Sequence, residues 1–202
     1  MTAPPRTTIG PVTISPWFDA TEHDHVRGNP EAPNTVIEYG DFECPYCAAA
    51  FPVLRELVDE SDGAVRLIFR HFPVPDVHPH ALTAALAAEA AGSVGQFWEM
   101  HDLLFERQSR LTGRDLRAYA IELGIDPDLV AGERAQQFGD AVEQSFGSGV
   151  DLDVPGTPTL FVNTDRYRGR MDVTNLRAAM PGTAAPRGSV RRFQPWARRK
   201  RR

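Results

Sequence analysis

The chain has 202 residues, 42% of them hydrophobic and 24% charged, the composition of one soluble globular domain or of one domain carrying an insertion. No stretch approaches the ~20 apolar residues of a membrane-spanning helix, the N-terminus lacks an apolar signal core, and two cysteines exclude a disulfide-stapled secreted scaffold; a cytoplasmic protein is the expectation. The net charge of −5 hides an asymmetry, because eight basic and no acidic residues lie in 183–202, leaving 14 basic against 27 acidic in 1–182. So acidic a body is a poor nucleic-acid binder.

Residues 1–30 hold several prolines and little apolar periodicity, and read as an irregular arm. Thr35–Tyr39 is β-branched and aromatic, and predicts a strand that Gly40-Asp41 ends. After Cys44-Pro45-Tyr46-Cys47, the spacing of Phe51, Leu54, Leu57 and Val58 predicts a helix, with Pro52 as a kink inside it. Val65–Phe72 predicts a second strand, closed by Pro73 and Pro75. From 78 to 149 the pattern is helical. Ala81–Ala91 is nearly pure helix former, and Gln96–Glu106 is amphipathic through Phe97, Met100, Leu103 and Leu104. Thr112 suits the cap of a third helix ending at Gly124, Asp126 that of a short fourth, and Glu133–Phe146 reads as a fifth. Strand character returns at Thr159–Val162, with a turn at 163–165, a short partner strand from Arg166 and a last helix over Met171–Met180. The order is β–α–β, a helical block, then β–β–α.

Both cysteines fall within four residues, after a strand and at the start of a helix. Unpaired backbone N–H groups and the positive end of the helix dipole favour a thiolate at Cys44. Cys47 lies one turn further on, placed to attack a mixed disulfide formed at Cys44, and the pair is the minimum equipment for disulfide exchange. A lone C-x-x-C is also half a zinc site, for which His71, His78 and His80 are the available further ligands. Two inert structural cysteines are the third reading. Pro158 directly precedes the Thr159 strand. An X-Pro bond there is either an ordinary trans start to the strand or a cis bond that presents backbone groups to an extended peptide; beside the C-x-x-C, cis is the expectation.

These features together resemble the thioredoxin superfamily, in particular the DsbA-like thiol–disulfide oxidoreductases, over residues 25–182. The segments Tyr39–Cys47, Arg70–Pro73, His78-Pro79, Phe97–His101 and Gly156–Thr159 carry the likeness. The run from Asp24 to Cys47 is similar to the cytoplasmic thioredoxin-like domains that some actinobacterial sodium/proton antiporters carry, with the expectation that here no antiporter precedes it. The resemblance implies an α/β, thioredoxin-like fold with an all-helical insertion domain: a core over 31–77 and 150–182 and the insertion over 78–149; composition adds an irregular arm over 1–30 and a basic tail over 183–202 that is expected to be disordered. It implies a protein disulfide oxidoreductase with Cys44 as nucleophile and Cys47 as resolving thiol. Pro158, preceded by Thr157, takes the place of the family's cis-proline, and Pro45, Tyr46, Thr157 and Pro158 are the expected substrate contacts. Glu38, six positions before Cys44, takes the place of a buried carboxylate whose raised pKa suits it to exchange a proton with the resolving thiol; the other reading has Glu38 pointing outward and Tyr39 inward.

Tyr46, where strongly oxidising relatives carry histidine, cannot stabilise the thiolate by charge and implies a less oxidising couple. Protein or small-molecule thiols and disulfides are the expected substrates, with thioredoxin, mycothiol or glutathione as reductant. The alternatives are a glutathione-linked transferase, suggested by Pro45-Tyr46, and a redox-sensing regulatory domain that binds a partner protein. Gly147-Ser148-Gly149 is too short for a phosphate loop and lacks a lysine, so no cofactor and no metal are expected. Packing or capping is the expected role of His71 and His78, and core packing that of His101, Phe97, Trp98, Met100 and Leu104. The arginine-rich tail, with Phe193 and Trp196, is compatible with anionic lipid, nucleic acid or the acidic body as well as with plain solvation.

Overall fold

A computed structural model describes residues 16–182 except Glu22; the expectations for the first part of the arm and for the basic tail lie outside the described residues. The sheet is built around one strand with no polar face. In β2 (Asn34–Gly40) all seven residues are buried. β3 (Val65–His71) lies parallel on one side of it and β4 (Thr159–Val162) antiparallel on the other, so that Val36 faces both Leu67 and Val162. β1 (His25–Gly28) joins β3 antiparallel and β5 (Asp165–Arg166) joins β4, giving the order β1-β3-β2-β4-β5. A strand covered on both faces reads as a continuous apolar run. Val36, Leu67, Leu160 and Val162 pack on one face with Leu54, Leu57 and Val58 of α1 (Pro45–Asp59) and Leu176 of α6 (Val173–Ala178). Ile37, Tyr39, Ile68 and Phe161 pack on the other with Phe72 and Val154.

Between β3 and β4 run α2 (Ala81–Gly92), α3 (Phe97–Glu106), α4 (Gly113–Leu123) and α5 (Gly139–Asp151). α2 is buried almost all round, from Ala84 to Ala91, as an alanine-rich helix at the centre of a helical layer must be. α4 carries the capping box that Thr112 promises: its hydroxyl accepts from the Asp115 N–H, and the Asp115 carboxylate accepts from the Thr112 N–H. Phe42, Cys44, Cys47, Phe51 and Phe69 belong to the same apolar cluster as Ala84, Phe97, Met100, Leu104 and Leu116, so the cysteines lie at the seam between sheet and helical layer.

Three expectations need correction. Residues 1–30 are not wholly irregular: Pro16–Phe18 forms a 3-10 turn and His25–Gly28 an edge strand, held from outside by the Trp98 indole, which donates to the Val26 carbonyl at 3.1 Å. The Asp126 segment is a turn rather than a helix, its carboxylate accepting from Asp128 and its carbonyl from Leu129. The fifth helical stretch is 3-10 over Glu133–Phe138 and α-helical only from Gly139. Pro52 stands inside α1, where the sequence places it.

Candidate active site

The β2–α1 junction is shaped by backbone chemistry before any thiol is considered. Gly40 ends β2 with the Phe69 ring against its Cα; a Cβ there would stand 2.4 Å from that ring. The Asp41 carboxylate, fully buried, accepts from the Glu43 N–H at 2.8 Å, the Val74 N–H at 3.0 Å and His78 Nδ1 at 2.8 Å. Cys44 is the N-cap of α1, extended at φ −74° and ψ 120°, and Pro45 fills the first helical position, where the missing N–H costs no bond. The Cys44 side chain makes no capping bond, so the first-turn N–H groups and the dipole act on its sulfur.

Both thiols are free and buried, Cys44 at 4% exposure and Cys47 at 0%. The neighbouring Cys47 thiol, ahead of the Thr157 side chain and the Cys47 and Tyr46 N–H groups, draws the Cys44 pKa down to about 5 against the opposing effect of burial. The Cys44 sulfur also lies 3.3 Å from the Thr157 carbonyl oxygen, a bond that only the protonated thiol can donate; the N–H donors serve the thiolate. Burial pushes the Cys47 thiol far up, and the charges of Cys44 and Glu38 add to that. One thiol is thus ionised near neutrality and its neighbour is not.

Glu38 is 1% exposed on the central strand, and Tyr39 beside it is buried as well, on the opposite face. The choice between Glu38 inward and Tyr39 inward does not arise, because β2 has no outward face. Burial first, and the Cys44 thiolate second, push the Glu38 carboxyl up to about 8. Its Oε1 has no hydrogen-bond partner among the described residues. Thr157-Pro158 is cis, and this loop reaches Cys44 through the Thr157 contact. Tyr46 is 74% exposed in the first turn of α1. The structure therefore brings Cys44, Cys47, Glu38 and Thr157 together, with Pro45 and Tyr46 inside the same turn.

The three histidines weighed as zinc ligands pair with carboxylates instead: His71 with Glu89 at 2.8 Å, His78 with Asp41 at 2.8 Å and His80 with Glu43 at 3.0 Å. Sequence reasoning missed Asp41, Glu43 and Gln108. The Gln108 amide donates to the Phe42 carbonyl at 2.9 Å and to the Cys44 carbonyl at 2.8 Å. The two acids flanking Phe42, just before the cysteines, were the available signal for the first two; Gln108 gave none.

The thioredoxin family profile matches residues 20–181. The chain belongs to the thioredoxin family. A thioredoxin-like oxidoreductase from Silicibacter pomeroyi DSS-3 superposes with a TM-score of 0.72 at 28% identity, covering 81% of this chain and 93% of that one. BdbD from Bacillus subtilis does so at 0.69 and 26%, covering 79% and 92%. The thiol-disulfide exchange protein alpha-DsbA2 from Wolbachia pipientis, at 0.67 and 22% identity, shares the fold, with 77% of this chain and 84% of that one covered. The fold is thus thioredoxin-like with inserted helices, in the DsbA-like arrangement. Among curated proteins, a sodium/proton antiporter of Salinispora arenicola is 48% identical over 165 residues, 81% of this chain and 25% of the antiporter. One from Mycolicibacterium gilvum is 38% identical over 79% and 26%. The chain spans about a quarter of the length of these curated relatives. Among the described residues no helix is long and apolar enough to cross a membrane.

Proposed function

We propose that the protein is a thiol–disulfide oxidoreductase that works through Cys44 and Cys47. The observation that carries this reading is the division between the thiols: Cys44 is held down near 5 at the helix start, while Cys47 is buried and held protonated behind it. The Cys44 thiolate attacks one sulfur of a substrate disulfide, forming a mixed disulfide and expelling the other sulfur as a thiolate, which takes a proton from solvent. Attack consumes the Cys44 charge that helps keep Glu38 protonated, so the Glu38 carboxyl ionises more readily at that stage. It then accepts the Cys47 proton. The Cys47 thiolate attacks Cys44, closes the Cys44–Cys47 disulfide and releases the second substrate sulfur as a thiolate. Two electrons pass from protein to substrate; the reverse sequence oxidises a dithiol.

Thr157, Pro158, Pro45 and Tyr46 form the substrate contacts in this reading. The exposed Tyr46 offers a ring beside the nucleophile and brings no positive charge, which supports a couple less oxidising than a histidine there would give. The setting is the cytoplasm, with thioredoxin, mycothiol or glutathione regenerating the dithiol. A second reading, a redox-sensing domain that binds a partner protein with little turnover, is favoured by one observation: the matched relatives are antiporters in which this region is a quarter of the chain.

Cys47→Ser should accumulate mixed disulfides on Cys44 during turnover, and in the reduced wild type an alkylating agent at pH 6–7 should label Cys44 well before Cys47. A Cys47→Ser protein that turns over at the wild-type rate with no trapped adduct would sink the two-cysteine mechanism. Insulin reduction, driven by dithiothreitol in one arm and by glutathione alone in the other, separates the three functions: turnover with either reductant points to the oxidoreductase, turnover only with glutathione to the transferase, and turnover with neither to the sensor.

A further inference from the structure

The active-site turn is held from outside the thioredoxin half by a residue the mechanism above does not use. Gln108 follows α3 in the helical layer and is half-buried. Its single amide nitrogen reaches two main-chain carbonyls, Phe42 at 2.9 Å and Cys44 at 2.8 Å. The Cys44 carbonyl is also the first acceptor of α1, taking the Cys47 N–H at 3.1 Å and the Ala48 N–H at 3.2 Å. On the other flank the Asp41 and Glu43 carboxylates tie the same turn to the segment before α2, through Val74, His78 and His80. We infer that Gln108 is a positioning residue for the nucleophile: by pinning the Phe42 and Cys44 carbonyls it fixes where the Cys44 sulfur stands relative to the first-turn N–H groups of α1.

The chemistry follows from the geometry. Of the donors that favour the thiolate, the Cys47 thiol first and then the Cys47 and Tyr46 N–H groups belong to α1, while the sulfur hangs from its N-cap. Their alignment depends on the Cys44 backbone, and no side-chain cap fixes that backbone from within. Gln108 supplies the restraint from 64 residues away in sequence. Two carbonyls converging on one amide also demand a donor. An acceptor in its place would set like partial charges together and add repulsion against the thiolate.

This inference rests on Cys44 being the nucleophile, and the test separates the two. The thiolate absorbance of the reduced full-length protein is titrated for wild type, Gln108→Leu, Gln108→Glu and Thr112→Ala, alongside urea unfolding of each. Thr112→Ala loosens the same helical layer by removing the α4 cap without touching the turn. Gln108→Leu should raise the proton affinity of Cys44 about tenfold, one pH in its midpoint, and Gln108→Glu should raise it further. Thr112→Ala should lower stability and leave the midpoint in place. Should Gln108→Leu not fold, Gln108→Asn serves, being too short to reach both carbonyls, with a smaller rise of the same sign. Gln108 variants that titrate like wild type, or a Thr112→Ala that shifts the midpoint equally, would reduce Gln108 to packing and overturn the inference. A wild-type Cys44 with an ordinary thiol midpoint would instead overturn the functional reading on which it stands.

Discussion

Two buried glutamates on either side of the β3 strand behave in opposite ways. Glu38, on β2, is 1% exposed, and its Oε1 has no partner among the described residues; its carboxyl is pushed up to about 8. Glu89, on α2, is 9% exposed and lies between His25 at 3.0 Å and His71 at 2.8 Å. Burial opposes its ionisation too, but the bonds from the two imidazoles prevail and hold it down at about 2. The residue type is the same and the burial is similar, so the partners decide. One region spends its carboxylate on joining β1, β3 and α2; the other keeps a carboxyl, one oxygen of which has no hydrogen-bond partner among the described residues, beside a pair of thiols. A buried polar atom without a partner is costly enough that its retention points to chemistry.

That contrast breaks first in stability. Glu89→Ala removes a partnered charge and strands two imidazoles, for a loss of about 3–5 kcal/mol. Glu38→Leu replaces a buried carboxyl, one oxygen of which has no partner among the described residues, with an apolar side chain of similar size and should gain about 1 kcal/mol. Urea unfolding at pH 7 measures both. Equal losses at the two positions would mean that burial alone, and not partnering, governs these carboxyls.

The pH dependence sharpens it. Glu38 has a folded pKa of about 8 against an ordinary 4.5, so its contribution is full below 4.5 and lost as pH rises toward 8. Cys44 runs the other way: its folded value of about 5 lies below the ordinary 9.0, so its contribution is full above 9 and lost as pH falls toward 5. Each separation is worth on the order of 5 kcal/mol at about 1.4 kcal/mol per pH. Between pH 5 and 8 the two oppose each other, and the wild-type profile should be nearly flat. Glu38→Gln should unmask a stability that rises over this range. Cys44→Ser should unmask one that falls, less steeply, because the thiolate that helps raise Glu38 is gone. Two variants that both track the wild-type curve would show that neither group titrates as described.

How far the sequence reaches can be judged at the same two glutamates. Glu38 was legible through the family resemblance, whose motif is local: a strand, a turn and a helix start place Glu38, Cys44 and Cys47 within ten residues. The helical block was legible because capping and 3.6-residue periodicity are local. Glu89 was not. Its partner His71 is 18 residues away and His25 is 64 away on a strand too short to announce itself, and only the antiparallel β1–β3 pairing brings the latter in. The signal was there in another form: one carboxylate in an otherwise apolar alanine run must find a partner once that helix is buried. The Asp126 turn and the 3-10 stretch at 133–138 were misread because cap residues and helix formers also suit turns and tighter helices.

The effect closest to function separates the two carboxyls by rate rather than stability. If Glu38 takes the Cys47 proton, then Glu38→Gln should slow closure of the mixed disulfide about 100-fold, because Cys47 is fully buried and solvent offers no ready substitute base. That corresponds to about 2.7 kcal/mol in the barrier. The first step should be spared: Cys44 attack depends on a thiolate already formed near pH 5, and Glu38 is largely protonated at neutrality. Stopped-flow alkylation of Cys44 should therefore be unchanged while single-turnover release of the second substrate thiol slows. In the wild type the release rate should climb with pH as the Glu38 carboxyl ionises; in Glu38→Gln that climb should be missing. Glu89→Gln, equally buried but committed to its histidines, should leave both steps and the pH profile of release as they are. A Glu38→Gln protein that closes its disulfide at the wild-type rate, or a Glu89→Gln protein that slows it as much, would show that partnering does not mark which buried carboxyl moves the proton.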